Sequence, residues 1–172
     1  MTAMTQHNSH QLTDSQIKFF QAFGYLLMPG LLADDIEEVS EAFDEVMANA
    51  GEDLVKLDYS SGDRFMVPAI LDRHPILNSL KHDPRILGVV ESLIGKDWEY
   101  AESDGNVMDC ETTWHRDTYE SPLSQFHVKL LFYLDPLTAE KGALRVLPGT
   151  NFYTESYAMS IKKGLGFPDR MD

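Results

Sequence analysis

Two side chains in the run Thr113-Trp114-His115-Arg116-Asp117-Thr118 have the types and the spacing to hold a metal ion. On an extended strand, residues two apart leave the same face, so the His115 imidazole and the Asp117 carboxylate converge. An imidazole with a carboxylate is two thirds of the facial triad that binds non-haem Fe(II) and leaves positions open for a co-substrate and dioxygen. The donor still to be found is a second histidine. By itself the pair is a weak signal: six His and 28 acidic residues among 172 positions produce about one His-x-Asp/Glu by chance. Context must decide.

The other candidate donors have simpler explanations. His74 and His82 each precede a proline within two residues, next to helix starts, where a loop histidine needs no metal to explain it. The acidic run Asp34, Asp35, Glu37 and Glu38 stands where a helix dipole favours negative charge. Cys110 is the single cysteine, which excludes an internal disulfide and any cysteine-rich zinc or iron–sulfur centre. A hydrolytic zinc enzyme would need H-E-x-x-H or clustered histidines, and the sequence has neither.

Downstream of the pair run Val128-Lys129-Leu130-Leu131-Phe132-Tyr133-Leu134-Asp135 and then Gly142-Ala143-Leu144-Arg145-Val146-Leu147-Pro148-Gly149-Thr150. A strand with His-x-Asp, a long apolar strand, a short acidic connection and G-A-L-x-V-x-P-G-[ST], in that order, resembles the phytanoyl-CoA dioxygenase family of Fe(II)/2-oxoglutarate oxygenases. The opening Phe23-Gly24-Tyr25-Leu26-Leu27-Met28-Pro29-Gly30-Leu31-Leu32, followed by an acidic helix, resembles the same family's start. The likeness runs from about residue 12 to 155.

That resemblance implies an Fe(II)- and 2-oxoglutarate-dependent dioxygenase that hydroxylates a small-molecule substrate with dioxygen and releases succinate and CO2. His115 and Asp117 would be metal ligands. Retention of Asp117 favours hydroxylation over halogenation, because halogenating relatives lack this carboxylate. In the strand over 125–134, alternation puts Phe126, Val128, Leu130, Phe132 and Leu134 on one face and His127, Lys129, Leu131 and Tyr133 on the other. Lys129 is the candidate partner of the co-substrate's distal carboxylate, Tyr133 a hydrogen-bond donor to it, and Thr150 a further residue near it. His127 is rejected as the second histidine, since the family's distal ligand lies far later in the chain. The family usually has histidine after the Gly-Ser/Thr pair; Asn151 stands there instead. A non-catalytic jelly-roll binding module, or a degenerate relative without the complete triad, is the alternative that the fold leaves open.

A chain of 172 residues with 43% hydrophobic content is enough for one domain with a sizeable core. A net charge of −14 repels phosphate backbones and anionic lipid, which excludes nucleic acid and membrane surfaces as expected partners. No apolar run approaches the ~18 residues of a membrane span, and the first residues lack a signal-peptide pattern, so the expected location is cytoplasmic.

Along the chain, residues 1–11 read as a disordered tail and 12–95 as mainly helical. Thr13 and Gln16 form a capping box, with Leu12 placed to staple onto Ile17 and Gly24 to stop the helix. A short strand is expected over 25–28 and a second helix over 33–50, with Ile36, Val39, Phe43, Val46, Met47 and Ala50 on one face. A hairpin over 54–59 and 64–67 turns through Ser60-Ser61-Gly62-Asp63. Asp83-Pro84 is an N-cap with proline at the first helical position, opening a helix that ends at Gly95. Over 96–160 short Val/Phe/Tyr/Leu-rich segments replace the helical period, giving candidate strands at 98–102, 106–111, 113–119, 125–134, 143–147 and 152–157. Helices first and strands after is an α+β order. The resemblance sharpens it to N-terminal helices on a double-stranded β-helix, or jelly-roll, core. Such a core needs about eight strands, so it is expected to be incomplete here. Residues 161–172 read as a loop or truncated end, and Arg170 is badly placed to be the family's distal arginine.

Overall fold

The computed structural model describes residues 10–59, 61–112, 114–115 and 127–151. They form a mixed α+β arrangement: helices α1 (Asp14–Phe23), α2 (Ile36–Asn49), α3 (Pro75–Ser79) and α4 (Pro84–Ile94), with a three-stranded antiparallel sheet of β1 (Val55–Tyr59), β2 (Gly62–Pro68) and β3 (Asp104–Met108) in the order β1-β2-β3. No helix among the described residues is long and apolar enough to cross a membrane.

The helix ends follow local chemistry. The Gln16 amide donates to Thr13 Oγ1 at 3.3 Å and the Thr13 amide to Gln16 Oε1 at 2.9 Å, so two orphan donors are satisfied reciprocally. Gly24 closes the helix at φ 78°, donating to Phe20 O at 2.7 Å, a left-handed cap that glycine takes without a Cβ penalty. Leu12 is buried and its amide donates to Ser92 Oγ at 3.0 Å, which ties the start of α1 to α4. The second helix starts three residues later than its acidic run suggested, because 31–35 form turns ahead of Ile36. Its Val39, Ala42 and Val46 are buried, and Phe43, Met47 and Ala50 pack against the core.

At the start of α4, the Asp83 carboxylate accepts from the Arg85 amide at 2.8 Å. The Arg85 guanidinium lies 2.5 Å from both Asp83 Oδ2 and Asp35 Oδ2 and donates to Leu31 O at 3.3 Å. Asp35 Oδ2 is buried and out of alignment for a hydrogen bond, so Arg85 compensates it as an ion pair. One side chain thus joins the N-termini of α2 and α4. It also holds the Asp83 carboxyl below the usual carboxylate range. A lowered folded pKa contributes stability above the unfolded value of about 3.9 and loses it as pH falls through the folded value. Arg85→Ala should therefore cost about 1–2 kcal/mol at neutral pH. Asp83→Asn, which keeps a cap acceptor, should flatten the fall in thermal stability below about pH 4. Melting curves from pH 7 to pH 3 check both, and an unchanged acid limb in Asp83→Asn would remove the linkage.

The hairpin pairs Tyr59 with Gly62 and Val55 with Met66, and β3 adds on with Val67 opposite Gly105. Alternation gives this sheet two unlike faces. One carries the fully buried Val67 towards Ile70 and the α2 core. The other carries Arg64 and Met66, with Asp104 and Asn106 on the paired strand.

Several expected strands differ from what is observed. Among the described residues, 25–28 and 98–102 form no ladder, and β3 lies at 104–108 instead of 106–111. Residues 127–134 and 143–147 also form no ladder among the described residues. A strand exists only when another backbone takes its N–H and C=O groups. The neighbours that the pattern would supply, over 113–119 and 152–157, fall largely or wholly outside the described residues. Leu134 still packs against the core, whereas Leu131, Tyr133, Leu144 and Val146 are exposed.

Candidate functional site

His115 is exposed and directly follows a half-buried Trp114. Asp117 lies outside the described residues, so the convergence expected of the pair is not among the observations. Among the described residues no group of three His, Cys, Asp or Glu is placed to hold a metal ion. In donor chemistry, the imidazole and carboxylate of the His-x-Asp pair suit Fe(II).

The remaining histidines divide by environment. His74 is the N-cap of α3, its Nδ1 accepting from the Ile76 amide at 3.2 Å, while its Nε2 stands 3.8 Å from Glu45 Oε2. Its role is helix capping, as the adjacent proline implied. His82 is exposed in the 3-10 turn Leu80–His82, and His127 is exposed.

Lys129 lines a cleft of about 410 Å³ on the outer face of the sheet. Met66, Pro68, Ala69, Asp72, Tyr100, Ser103 and Asp104 also line it. Next to it, Arg64 donates to Asn106 Oδ1 at 2.6 Å and to Oδ2 of the lining residue Asp104 at 2.9 Å. Lys81 pairs with Asp72 and stands 4.8 Å from the Tyr100 ring centroid, and the Tyr100 hydroxyl bonds Ser103 Oγ at 2.7 Å. Ala69 holds φ 52°, the left-handed region, and its amide donates to Ser103 O at 2.7 Å. An alanine in this region is strained, and the turn it opens, Ile70–Asp72, fixes it there.

Tyr133 is not among the residues that line this cleft; it is 49% exposed. The partial burial that remains pushes its phenol above the ordinary value. Thr150 donates its hydroxyl to Leu147 O at 2.8 Å, closing the Pro148-Gly149 turn. The cleft residues Met66, Ala69 and Asp104 were not singled out from sequence. The parity of β2, with Arg64 and Met66 opposite in face to Val67, was the available signal.

Comparison with protein families matched the phytanoyl-CoA dioxygenase (PhyH) model over residues 20–161. No curated protein and no solved structure matched. The matched span contains His115, Asp117, Lys129, Tyr133 and Thr150 and most of the described fold, and the family generally comprises Fe(II)/2-oxoglutarate-dependent oxygenases. The chain belongs to the phytanoyl-CoA dioxygenase family.

Proposed function

We propose that this protein is an Fe(II)- and 2-oxoglutarate-dependent dioxygenase that hydroxylates a small molecule, with release of succinate and CO2. The observation that carries the proposal is the His115-x-Asp117 pair inside the family-matched span. Bound Fe(II) would supply coordination positions at which 2-oxoglutarate and dioxygen react. His115 would act as a neutral imidazole ligand and Asp117 as a carboxylate ligand, with a third ligand still to be assigned. The proposal includes the jelly-roll closure that the family implies, with the outer sheet face of Arg64 and Met66 turned towards its interior.

The protein's own share is to bind, orient and exclude water. The Lys129 ammonium, at the edge of the cleft, would pair with the distal carboxylate of 2-oxoglutarate. Tyr133, which does not line this cleft, and Thr150, whose hydroxyl donates to Leu147 O, are given no contact with it. Succinate formation that requires both Fe(II) and 2-oxoglutarate tests the activity in the full-length protein. Lys129→Ala should raise the KM for 2-oxoglutarate about tenfold, the size of one charge-assisted hydrogen bond, with kcat much less affected. An unchanged KM would remove Lys129 from the site.

A further inference from the structure

We propose that Arg145 is a positioning residue for the candidate metal ligand His115: its guanidinium, stacked over Trp114, fixes the backbone that presents this imidazole. The inference rests on the metal reading above and adds a residue to it. Arg145 Cζ stands 5.1 Å from the centroid of the Trp114 ring, within the ~6 Å range of a cation–π contact. Trp114 is bonded to His115 through the backbone, so whatever fixes its ring restricts the approach of the neighbouring imidazole. No strand ladder joins 114–115 to 143–147 among the described residues, which gives side-chain contacts between these segments their weight.

The segment that carries Arg145 is itself anchored. The Gly149 amide donates to Phe23 O at 2.9 Å, and Asn151 Nδ2 donates to Gln21 O at 3.1 Å. A Cβ at Gly24 would fall 2.6 Å from Asn151 Cβ, so the turn sits hard against the end of α1. Asn151, where the sequence departs from the family's usual histidine, thus serves as a dock for α1. From that fixed turn Arg145 reaches Trp114. Its flat guanidinium suits a ring face better than an ammonium does, while either cation is attracted by it.

The sign of the effect separates positioning from simple charge. A cation near a metal site repels the metal, so removing one would tighten binding if charge alone acted. Positioning predicts the reverse. Calorimetric titration of the full-length protein with Co(II), an oxygen-inert stand-in for Fe(II), should show binding weakened about two- to fivefold in Arg145→Ala, the size of an exposed cation–π contact. Arg145→Lys should recover most of that loss, and the melting temperature of the metal-free protein should change little. Trp114 emission, taken as the difference between the parent and Trp114→Phe, should shift in Arg145→Ala before metal is added. Equal or tighter Co(II) binding in Arg145→Ala, while His115→Ala loses it, overturns the positioning role and leaves the metal reading intact. Identical binding in the parent and His115→Ala overturns both.

Discussion

Replacing His115 or Asp117 with alanine should lower Fe(II)-dependent succinate formation at least about 100-fold in each variant. Groups that only orient metal ligands cost 10–100-fold when removed, so loss of a ligand itself should exceed that range. Because His115 is exposed, His115→Ala should leave thermal stability within about 0.5 kcal/mol. The loss would then belong to the site and not to the fold. Turnover kept in both variants would point to the alternative considered from sequence, a domain that keeps the family fold without this metal site.

The largest stability effect is expected at Gly105. A Cβ there would lie 2.7 Å from Ile70 Cγ1 and 2.8 Å from Phe43 Cε2, both well inside ordinary contact. Gly105 is buried and pairs with Val67, which is 0% exposed, so the Ile70 and Phe43 side chains would have to shift within the core. Gly105→Val should therefore cost about 3 kcal/mol, the upper range for overpacking, and lower the melting temperature by roughly 5–10 °C. Combining it with Ile70→Ala should restore part of the loss, as contacting sites are not additive. Full additivity in that double-mutant cycle would mean that the crowding lies elsewhere.

These two predictions draw on parts of the molecule that differ in how far the sequence discloses them. Thr13 with Gln16, Asp83 with Pro84, and Gly24 are short-range signals whose partners lie within four residues, and each appears in the structure as the local chemistry requires. The β1-β2 hairpin was legible for the same reason, its connection being local, although Gly62 and Asp63, expected in the turn, are the first residues of β2 and pair with Tyr59 and Asp58. Strand β3 was misplaced by two residues because its apolar alternation is interrupted by Gly105, whose reason is the distant Phe43 and Ile70. The five-residue α3 is too short to show a helical period. At the site, His115-x-Asp117 could be read as a pattern. The cleft beside Lys129 could not, because it exists only once 100–104 is laid against 66–72. The Arg145–Trp114 contact likewise spans a long loop and leaves no periodic trace.

Anaerobic equilibrium dialysis of Fe(II) against the full-length protein, His115→Ala, Asp117→Ala and the double variant tests most directly whether these two residues hold one metal ion. The expected result is one Fe(II) per chain in the parent and binding more than about tenfold weaker in each single variant. The double variant should be hardly worse than the weaker single, the non-additivity of groups that act on one ion. Equal Fe(II) binding by all four proteins would contradict the metal assignment.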